Sequence, residues 1–453
     1  MSKLLLTFYG DDFTGSTDAL EQLTLAGIRT ALFTDPPTSA QLKKFPGLQA
    51  IGVAGKTRSL APAAMERELK PALLALKKLG ARHVHYKVCS TFDSSPTISS
   101  IGRVLDMAVK IFPAPFIPIL AAAPSLGRYT IFGQHFARYG IGSAGAIHRL
   151  DRHPSISKHP ITPMNEADLR VHLSRQTKKK ISLFDILQLA LPEKESRAAL
   201  EKILAKKPDA ILFDALSTEH LQRIGALLES FASAKRPLFS VGSSGIEAAL
   251  ASQFRSSRRE EAQTDCRFSQ SLLTSAATKQ ILIGSGSCSP VTSEQISWAL
   301  KNGFAEVPLA ASALAGNNSA TEIKRATAAA VKLLQAGRSV IVHTTKRGSD
   351  QRLAAKLKSR TAAILGTALG KVLRGALAQS SIHRVCLAGG DTSSYAARAL
   401  GIQALELIAP LTPGAPLCRA FAPGSPADKL EIVFKGGQVG AENYFEIVRR
   451  GKT

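Results

Sequence analysis

The chain is short of acids, cysteines and aromatics, and each shortage narrows what it can be. It holds 34 acidic against 58 basic residues, five cysteines, one tryptophan and 6% aromatic residues. Cys89, Cys266, Cys288, Cys386 and Cys418 are scattered, with no CxxC pair, which argues against a disulfide framework or a zinc ribbon and for reduced thiols in the cytoplasm. No apolar run is long enough to span a bilayer. The most apolar later stretch, Ile111 to Pro124, is interrupted by Pro113, Pro115 and Pro118. The first apolar run passes directly into acids instead of a small-residue cleavage site, so no secretory leader is expected.

The shortage of acids leaves a formal charge of +24, which invites a nucleic-acid reading. Yet the bases are spread in short groups, such as Lys178-Lys179-Lys180 and Arg258-Arg259, with little aromatic interleaving. A solvated basic surface whose field draws small anions is the better account, and no nucleic-acid or membrane partner is expected. A basic, non-catalytic nucleic-acid binder stands as the competing class. The oligomeric state is open, a homodimer included.

At 453 residues the chain exceeds one ordinary core, so two domains are expected. Strand and helix patterns alternate from the start. Leu4 to Gly10, Ile28 to Phe33, His83 to Val88, Phe116 to Ala122, Ala210 to Asp214 and Leu238 to Val241 have strand character, with helical patterns such as Pro62 to Leu79 between them. Pro71 should kink that helix. From Ala123 to Pro163 the rhythm breaks into a long Gly-, His- and Arg-rich loop of functional type. Phe254 to Lys279 is charged and aperiodic. Beyond it α/β alternation starts afresh, with strands at Gln280 to Ile283, Ser339 to Thr345, Arg384 to Ala388 and Leu430 to Phe434. The expectation is α/β, two domains with mainly parallel sheets and a ligand cleft between them: residues 1–255, a linker at 256–278, and residues 279–453.

The chemistry is expected where strands end. The first strand runs into GDDFTG, placing Asp11 and Asp12 at the carboxyl edge of a sheet, where such a pair can orient hydroxyls, hold a divalent cation or act as a base. Three later strands leave through Gly-rich turns: Gly284 to Ser289, Gly389 to Ser393, and Lys435 to Gly440 with Gly436 and Gly437. Exposed N–H groups at such turns, with hydroxyls from Ser285, Ser287, Ser289, Thr392 and Ser393, make a phosphate cradle. Gly140 to Gly145 fits GxGxxG but follows no clear strand, and Gly366 to Lys371 is a Walker-like spacing inside a helix; neither is read as a nucleotide loop. His83 and His85 share a strand face without a third metal ligand. Arg149 and Arg152, within the cluster His148 to His159, could clamp an anion.

In order along the chain, GDDFTG, Lys87 with Ser90-Thr91, the Gly242-Ser243-Ser244-Gly245 turn, GSCSPVT, GGDTS and KGGQVG resemble the four-carbon acid sugar kinase family. The resemblance implies a sugar-acid domain followed by an ATP domain, and transfer of the γ-phosphoryl group of ATP to the terminal hydroxyl of a tetronate or 3-oxo-tetronate. Carried over by motif, Asp11, Asp12, Thr14, Gly15, Lys87, Ser90 and Thr91 would line the acid pocket, with Ser243 and Ser244 beside it. Ser287, Gly389, Gly390, Asp391, Thr392 and Gly437 would hold ATP. Many members have Arg-Gly after the Ser-Thr, where this chain has Phe92-Asp93, and Arg149 and Arg152 are the proposed substitutes. ATP and Mg²⁺ are the expected cofactors. Asp12 is preferred for hydroxyl activation, with Asp391 near the γ-phosphate. A catalytically silent sugar-acid sensor on the same fold is the other alternative.

Overall fold

A computed structural model of the chain describes residues 4–139, 145–159, 162–261, 278–316, 318–344 and 361–451, without the side chains of 255–261, 361 and 391. The strands are β1 (Leu6–Gly10), β2 (Thr30–Phe33), β3 (Ala50–Ala54), β4 (His83–Lys87), β5 (Ile117–Leu120), β6 (Arg128–Ile131), β7 (Gln134–Arg138), β8 (Ile147–Arg149), β9 (Ile181–Phe184), β10 (Ala210–Phe213), β11 (Leu238–Gly242), β12 (Leu282–Ser285), β13 (Ala305–Pro308), β14 (Val340–His343), β15 (Arg384–Ala388), β16 (Ala404–Ala409), β17 (Leu417–Phe421) and β18 (Glu431–Lys435). Fifteen of them form one sheet in the order β13-β14-β12-β15-β18-β17-β16-β2-β3-β1-β4-β11-β5-β10-β9. The central parallel strands of the large sheet, such as β1, β4, β10 and β15, are buried on both faces, as parallel strands covered by helices must be.

Two parallel blocks, β2-β3-β1-β4-β11-β5-β10-β9 and β13-β14-β12-β15-β18, are joined by antiparallel pairs: β2 with β16, β16 with β17 and β17 with β18. Three reversals leave the blocks pointing in opposite directions. The twist of the sheet counters this. Six neighbouring pairs separate β15 from β1, and at roughly 20–25° per pair the accumulated rotation is on the order of 120–150°. The carboxyl edge of the second block is thereby turned toward that of the first.

The hydrophobic core follows the continuous sheet. One cluster of buried side chains runs from Leu6, Phe8 and Phe13 through Leu282 and Val385 to Phe434. A second, on the opposite face of the first block, joins Tyr9, Val84 and Tyr86 to Leu73 and Val104 of the flanking helices. The helix Phe13–Leu25 lies over the junction. Phe13 stacks on Phe434 of β18 at 4.3 Å between ring centroids, a contact worth about 0.5–1.5 kcal/mol beyond its area. Glu21, near the end of the same helix, accepts the Gly414 N–H at 3.0 Å.

Several elements depart from the sequence expectation. Ala123 to Pro163 is not a loop: β6, β7 and β8 form a separate antiparallel sheet in that order, held by the buried Arg128, which donates to the carbonyls of Leu126, Gly127 and Arg138. The helix Pro62–Lys78 continues through Pro71. The helix Gly245–Glu261 runs past residue 255 into the expected linker, most of which lies outside the described residues, as does most of the GxGxxG segment. Among the described residues no helix is long and apolar enough to cross a membrane.

Candidate active site

Register assembles the first half of the site. Gly10 of β1 pairs with Lys87 of β4, which pairs with Gly242 of β11, so three strand exits emerge level. Ala54 at the end of β3 is opposite Gly10 on the other side, and the chain then turns through Thr57–Ser59. Asp11, Asp12, Arg58, Lys87 and the Ser243-Ser244 turn are thus products of one pleated edge.

Asp12 caps the helix Phe13–Leu25, accepting the Gly15 N–H at 2.6 Å through Oδ1 and the Thr14 hydroxyl at 3.2 Å through Oδ2. Arg58 donates to Asp12 Oδ2 at 3.2 Å and to Asp93 Oδ2 at 2.5 Å. Asp93 also accepts the hydroxyls of Thr91 and Thr162. Burial, the largest influence, would raise the Asp93 carboxyl, but Arg58 together with His159 and the Thr91 and Thr162 hydroxyls outweighs it and holds the group well below the usual carboxylate range. Asp11 has the opposite environment. It is 2% exposed, its Oδ1 has no partner, and burial together with the neighbouring Asp12 pushes it up to about 8.

Lys87 lies behind the acids, 3.5 Å from Asp18 Oδ2. Burial opposes its charge, while Asp18 and Glu247 favour it, and the balance raises it. Glu247 is fully buried, and burial pushes it up to about 8. His83 and His85 are not a metal pair. His83 bonds Glu229 at 2.9 Å, and His85 bonds the Ser240 hydroxyl at 3.0 Å. Among the described residues no group of three His, Cys, Asp or Glu side chains could hold a metal.

The second half is assembled in the same way. Ser285 of β12 pairs with Ala388 of β15, which pairs with Lys435 of β18. The three Gly-rich turns therefore leave side by side, packed too closely for side chains. A Cβ on Gly286 would lie 2.5 Å from Thr392 Oγ1, one on Gly389 2.6 Å from the same atom, and one on Gly437 3.0 Å from Ser287 Oγ. Gly389, at φ +128°, takes a backbone conformation that suits glycine. The hydroxyls of Ser285 and Ser289 are buried without partners, and Ser287 accepts the Ser289 N–H at 3.2 Å. Converging N–H groups and unpartnered hydroxyls at two helix starts suit a polyphosphate.

The two halves meet at one point. A Cβ on Gly390 would lie 2.9 Å from Asp12 Oδ2, so the start of the helix Gly390–Ala399 sits directly on the acidic turn. Ser394 and Arg398 of that helix reach across to the carbonyls of Gly55 and Ala54 at 3.0 and 2.9 Å. Two cavities, of about 550 Å³ beside Lys371 and Arg374 and about 280 Å³ beside Tyr9 and Arg67, share Arg398 in their linings, and neither is lined by Asp11, Asp12 or the Gly-rich turns. The seam is defined by side-chain chemistry and by backbone approach.

Most residues singled out from the sequence fall on these two turn clusters. Ser243 is engaged, donating to the Ala122 carbonyl and accepting the Gly245 N–H, both at 3.1 Å, whereas the Ser244 hydroxyl is unpartnered. Ser90 presents its carbonyl to His135 at 2.9 Å. The Asp391 side chain lies outside the described residues. Arg149 is bound to Asp151 at 2.8 and 2.6 Å, and no hydrogen bond or ion pair joins Arg149 or Arg152 to Asp11, Asp12 or Lys87. Arg58 was missed. The available signal was Ala50 to Ala54, an apolar run ending in Gly55-Lys-Thr-Arg58, which is another strand leaving into a polar turn.

Fold and site together define a two-domain enzyme that apposes an acidic, hydroxyl-lined turn to a cluster of three Gly-rich turns. The sugar-binding N-terminal domain family matches residues 6–250, and the nucleotide-binding C-terminal domain family matches residues 282–445. Over nearly its whole length the chain is similar to a 3-oxo-isoapionate kinase of Paraburkholderia graminis, 42% identical across 99% of this chain and 95% of the relative. It is also similar to a 3-oxo-tetronate kinase of Pseudomonas savastanoi pv. phaseolicola, 28% identical across 97% and 96%. A crystal structure from Salmonella typhimurium LT2 has the same fold, with TM-score 0.74, 24% identity and 99% of each chain covered. The chain belongs to the four-carbon acid sugar kinase family, as its motifs implied.

Proposed function

We propose that the protein transfers the γ-phosphoryl group of ATP to the terminal hydroxyl of a 3-oxo sugar acid, in the cytoplasm, where ATP is supplied. The observation that carries this reading is the contact of Gly390 with Asp12, because it apposes the cradle that would hold the donor to the carboxylate that would meet the acceptor. The higher identity to the 3-oxo-isoapionate kinase, 42% against 28%, favours that acid over 3-oxo-tetronate.

In this reading the turns Gly286 to Ser289, Gly389 to Thr392 and Gly436 to Gly437 bind the polyphosphate through backbone N–H groups and hydroxyls. Asp11, Thr14, Gly15, Lys87, Ser90, Thr91 and Ser244 line the acid pocket. Asp12, fixed by Gly15 and Arg58, takes the proton of the acceptor hydroxyl as its oxygen bonds to the γ-phosphorus and the bond to the ADP oxygen breaks. Phosphoryl transfer asks little more of the protein than alignment and charge neutralisation. A magnesium ion arriving on the polyphosphate would supply part of that neutralisation. Such an ion keeps several waters and needs only one or two carboxylates, which fits a site with no three-ligand cage among the described residues, and Asp11, whose Oδ1 is unpartnered, would be the carboxylate to hold it.

The test is ADP release with ATP and Mg²⁺ across 3-oxo-isoapionate, 3-oxo-tetronate, erythronates and threonates. Turnover is expected with the 3-oxo acids and none after chelation. A protein that binds ATP but turns over none of them is a sensor on this fold, and one that binds nucleic acid tightly and with a steep salt dependence but ignores ATP belongs to the competing class.

A further inference from the structure

Lys435 is a fully buried cation that the reaction just described leaves without a task. It is the last residue of β18, 0% exposed, immediately before Gly436-Gly437. Among the described residues its Nζ makes one hydrogen bond, to Thr292 Oγ1 at 2.9 Å. It also lies over the ring of Tyr444, 5.6 Å from the centroid. Thr292, equally buried in the first turn of the helix Pro290–Lys301, gives its single hydroxyl proton to the Gly437 carbonyl at 2.9 Å. The direction of the bonds is therefore fixed: Lys435 donates to Thr292, and Thr292 donates to Gly437. Gln295, one turn further along, holds the rest of the turn through the carbonyls of Val439, Gly440 and Ala441 at 3.0, 3.0 and 2.9 Å.

An ammonium has three donors and seeks a countercharge. Among the described residues this one has a single acceptor, a ring face and no carboxylate partner. The titratable groups facing it are Cys386 of β15 and Tyr444 of the helix Tyr444–Arg450, and burial holds both in their neutral, protonated forms. A buried charge without a partner gives up its proton instead of remaining charged, and burial lowers Lys435 to about 7. The missing countercharge is what a polyphosphate on the Gly437 turn would bring.

We propose that Lys435 is a positioning residue of the nucleotide cradle whose countercharge is the bound polyphosphate, so that nucleotide binding takes up a proton at Lys435. The inference rests on reading the Gly-rich turns as the nucleotide site. It ties the shape of the Gly437 turn to the charge of the ligand: a protonated Lys435 donates more strongly to Thr292, and Thr292 in turn to Gly437.

Calorimetric titration of ADP at pH 8, in buffers that differ in ionisation enthalpy, tests it. ADP is used because its shorter polyphosphate brings less charge toward Asp11 and Asp12, and its phosphates are fully ionised at this pH. With a lysine lowered to about 7, the wild-type protein should take up about 0.9 proton per ADP bound. Lys435→Met, close in volume, should bind ADP about tenfold more weakly or worse with no uptake, and Lys435→Arg, always charged, should also show none. ADP binding without proton uptake in the wild type, or uptake that persists in either variant, overturns the proposal and spares the cradle. A wild-type protein that binds no ADP overturns both. Because the wild-type measurement decides by itself, a variant that fails to fold does not rescue the proposal.

Discussion

Replacing Arg58 by methionine removes a cation that Asp12 and Asp93 share. The Arg58 side chain is 16% exposed, and the two carboxylates are 3% and 2% exposed. Its two contacts, at 3.2 and 2.5 Å, are therefore beyond the screening that makes surface ion pairs worth little. Methionine fills most of the space without a charge, so the effect is electrostatic and not that of a cavity. Leaving buried charge uncompensated costs about 3–5 kcal/mol, a loss of several degrees in Tm.

The pH dependence identifies the cause. In the wild type the folded Asp93 is held below the unfolded carboxylate range, against burial, by Arg58 with His159 and the Thr91 and Thr162 hydroxyls. That stability is fully present above the unfolded pKa and disappears only as pH falls through the depressed one, so it is flat between pH 5 and 8. In Arg58→Met, burial, the largest influence, is opposed only by His159 and the Thr91 and Thr162 hydroxyls, and the folded Asp93 is expected to rise above its unfolded value. The resulting penalty grows with pH until the folded group ionises. Each pH unit in that window contributes about 1.4 kcal/mol, so the deficit at pH 8 should exceed that at pH 5 by on the order of 1–3 kcal/mol. Thermal melts of both proteins at the two pH values measure this, and Asp93→Asn added to Arg58→Met should recover most of the loss. A deficit below about 1 kcal/mol, or one equal at both pH values, refutes the argument.

Three further outcomes follow from the geometry. Asp12→Asn should lower kcat by about 10²–10⁴-fold while leaving ADP affinity within a few-fold; loss of ADP binding instead would put Asp12 in the nucleotide site. Gly286→Ala adds a Cβ 2.5 Å from Thr392 Oγ1, and steady-state kinetics should show KM for ATP raised by about tenfold with KM for the acid nearly unchanged. Arg149→Ala and Arg152→Ala should each change KM for the acid by less than about twofold, since Arg149 is committed to an exposed ion pair with Asp151; a tenfold rise would return these arginines to the acid pocket.

Much of the site was legible because it lies at strand ends, and strand ends are marked by local chemistry. Asp11-Asp12, Ser243-Ser244 and the three Gly-rich turns all announce themselves within a few residues. Arg58 did not, because the turn after β3 carries neither paired acids nor a run of glycines, and an arginine in a polar turn gains meaning only from the carboxylates it meets. The β6–β8 sheet was hidden for a related reason: β6 and β7 alternate buried and half-buried residues and β8 has none that is buried, all among Gly, His and Arg, so composition suggested a loop. Arg149 was chosen from a dense local cluster, and density along the chain says nothing about Asp151 two residues away taking the charge.

What no local pattern could supply is the seam itself. Its formation depends on β16 and β17, neither of which stood out in the sequence, because they reverse the second block and set the number of strands over which twist accumulates. One antiparallel pair fewer would aim the Gly389-Gly390 turn away from Asp12 even with every motif intact. The contact therefore depends on residues far from the chemistry, such as Leu405 opposite Leu32 and Ala404 opposite Phe33, where β16 meets β2. Apposition of donor and acceptor turns is in this sense a property of the middle of the sheet, and substitutions there that spare both turns should separate ligand binding, which each half builds from its own strands, from turnover, which needs both.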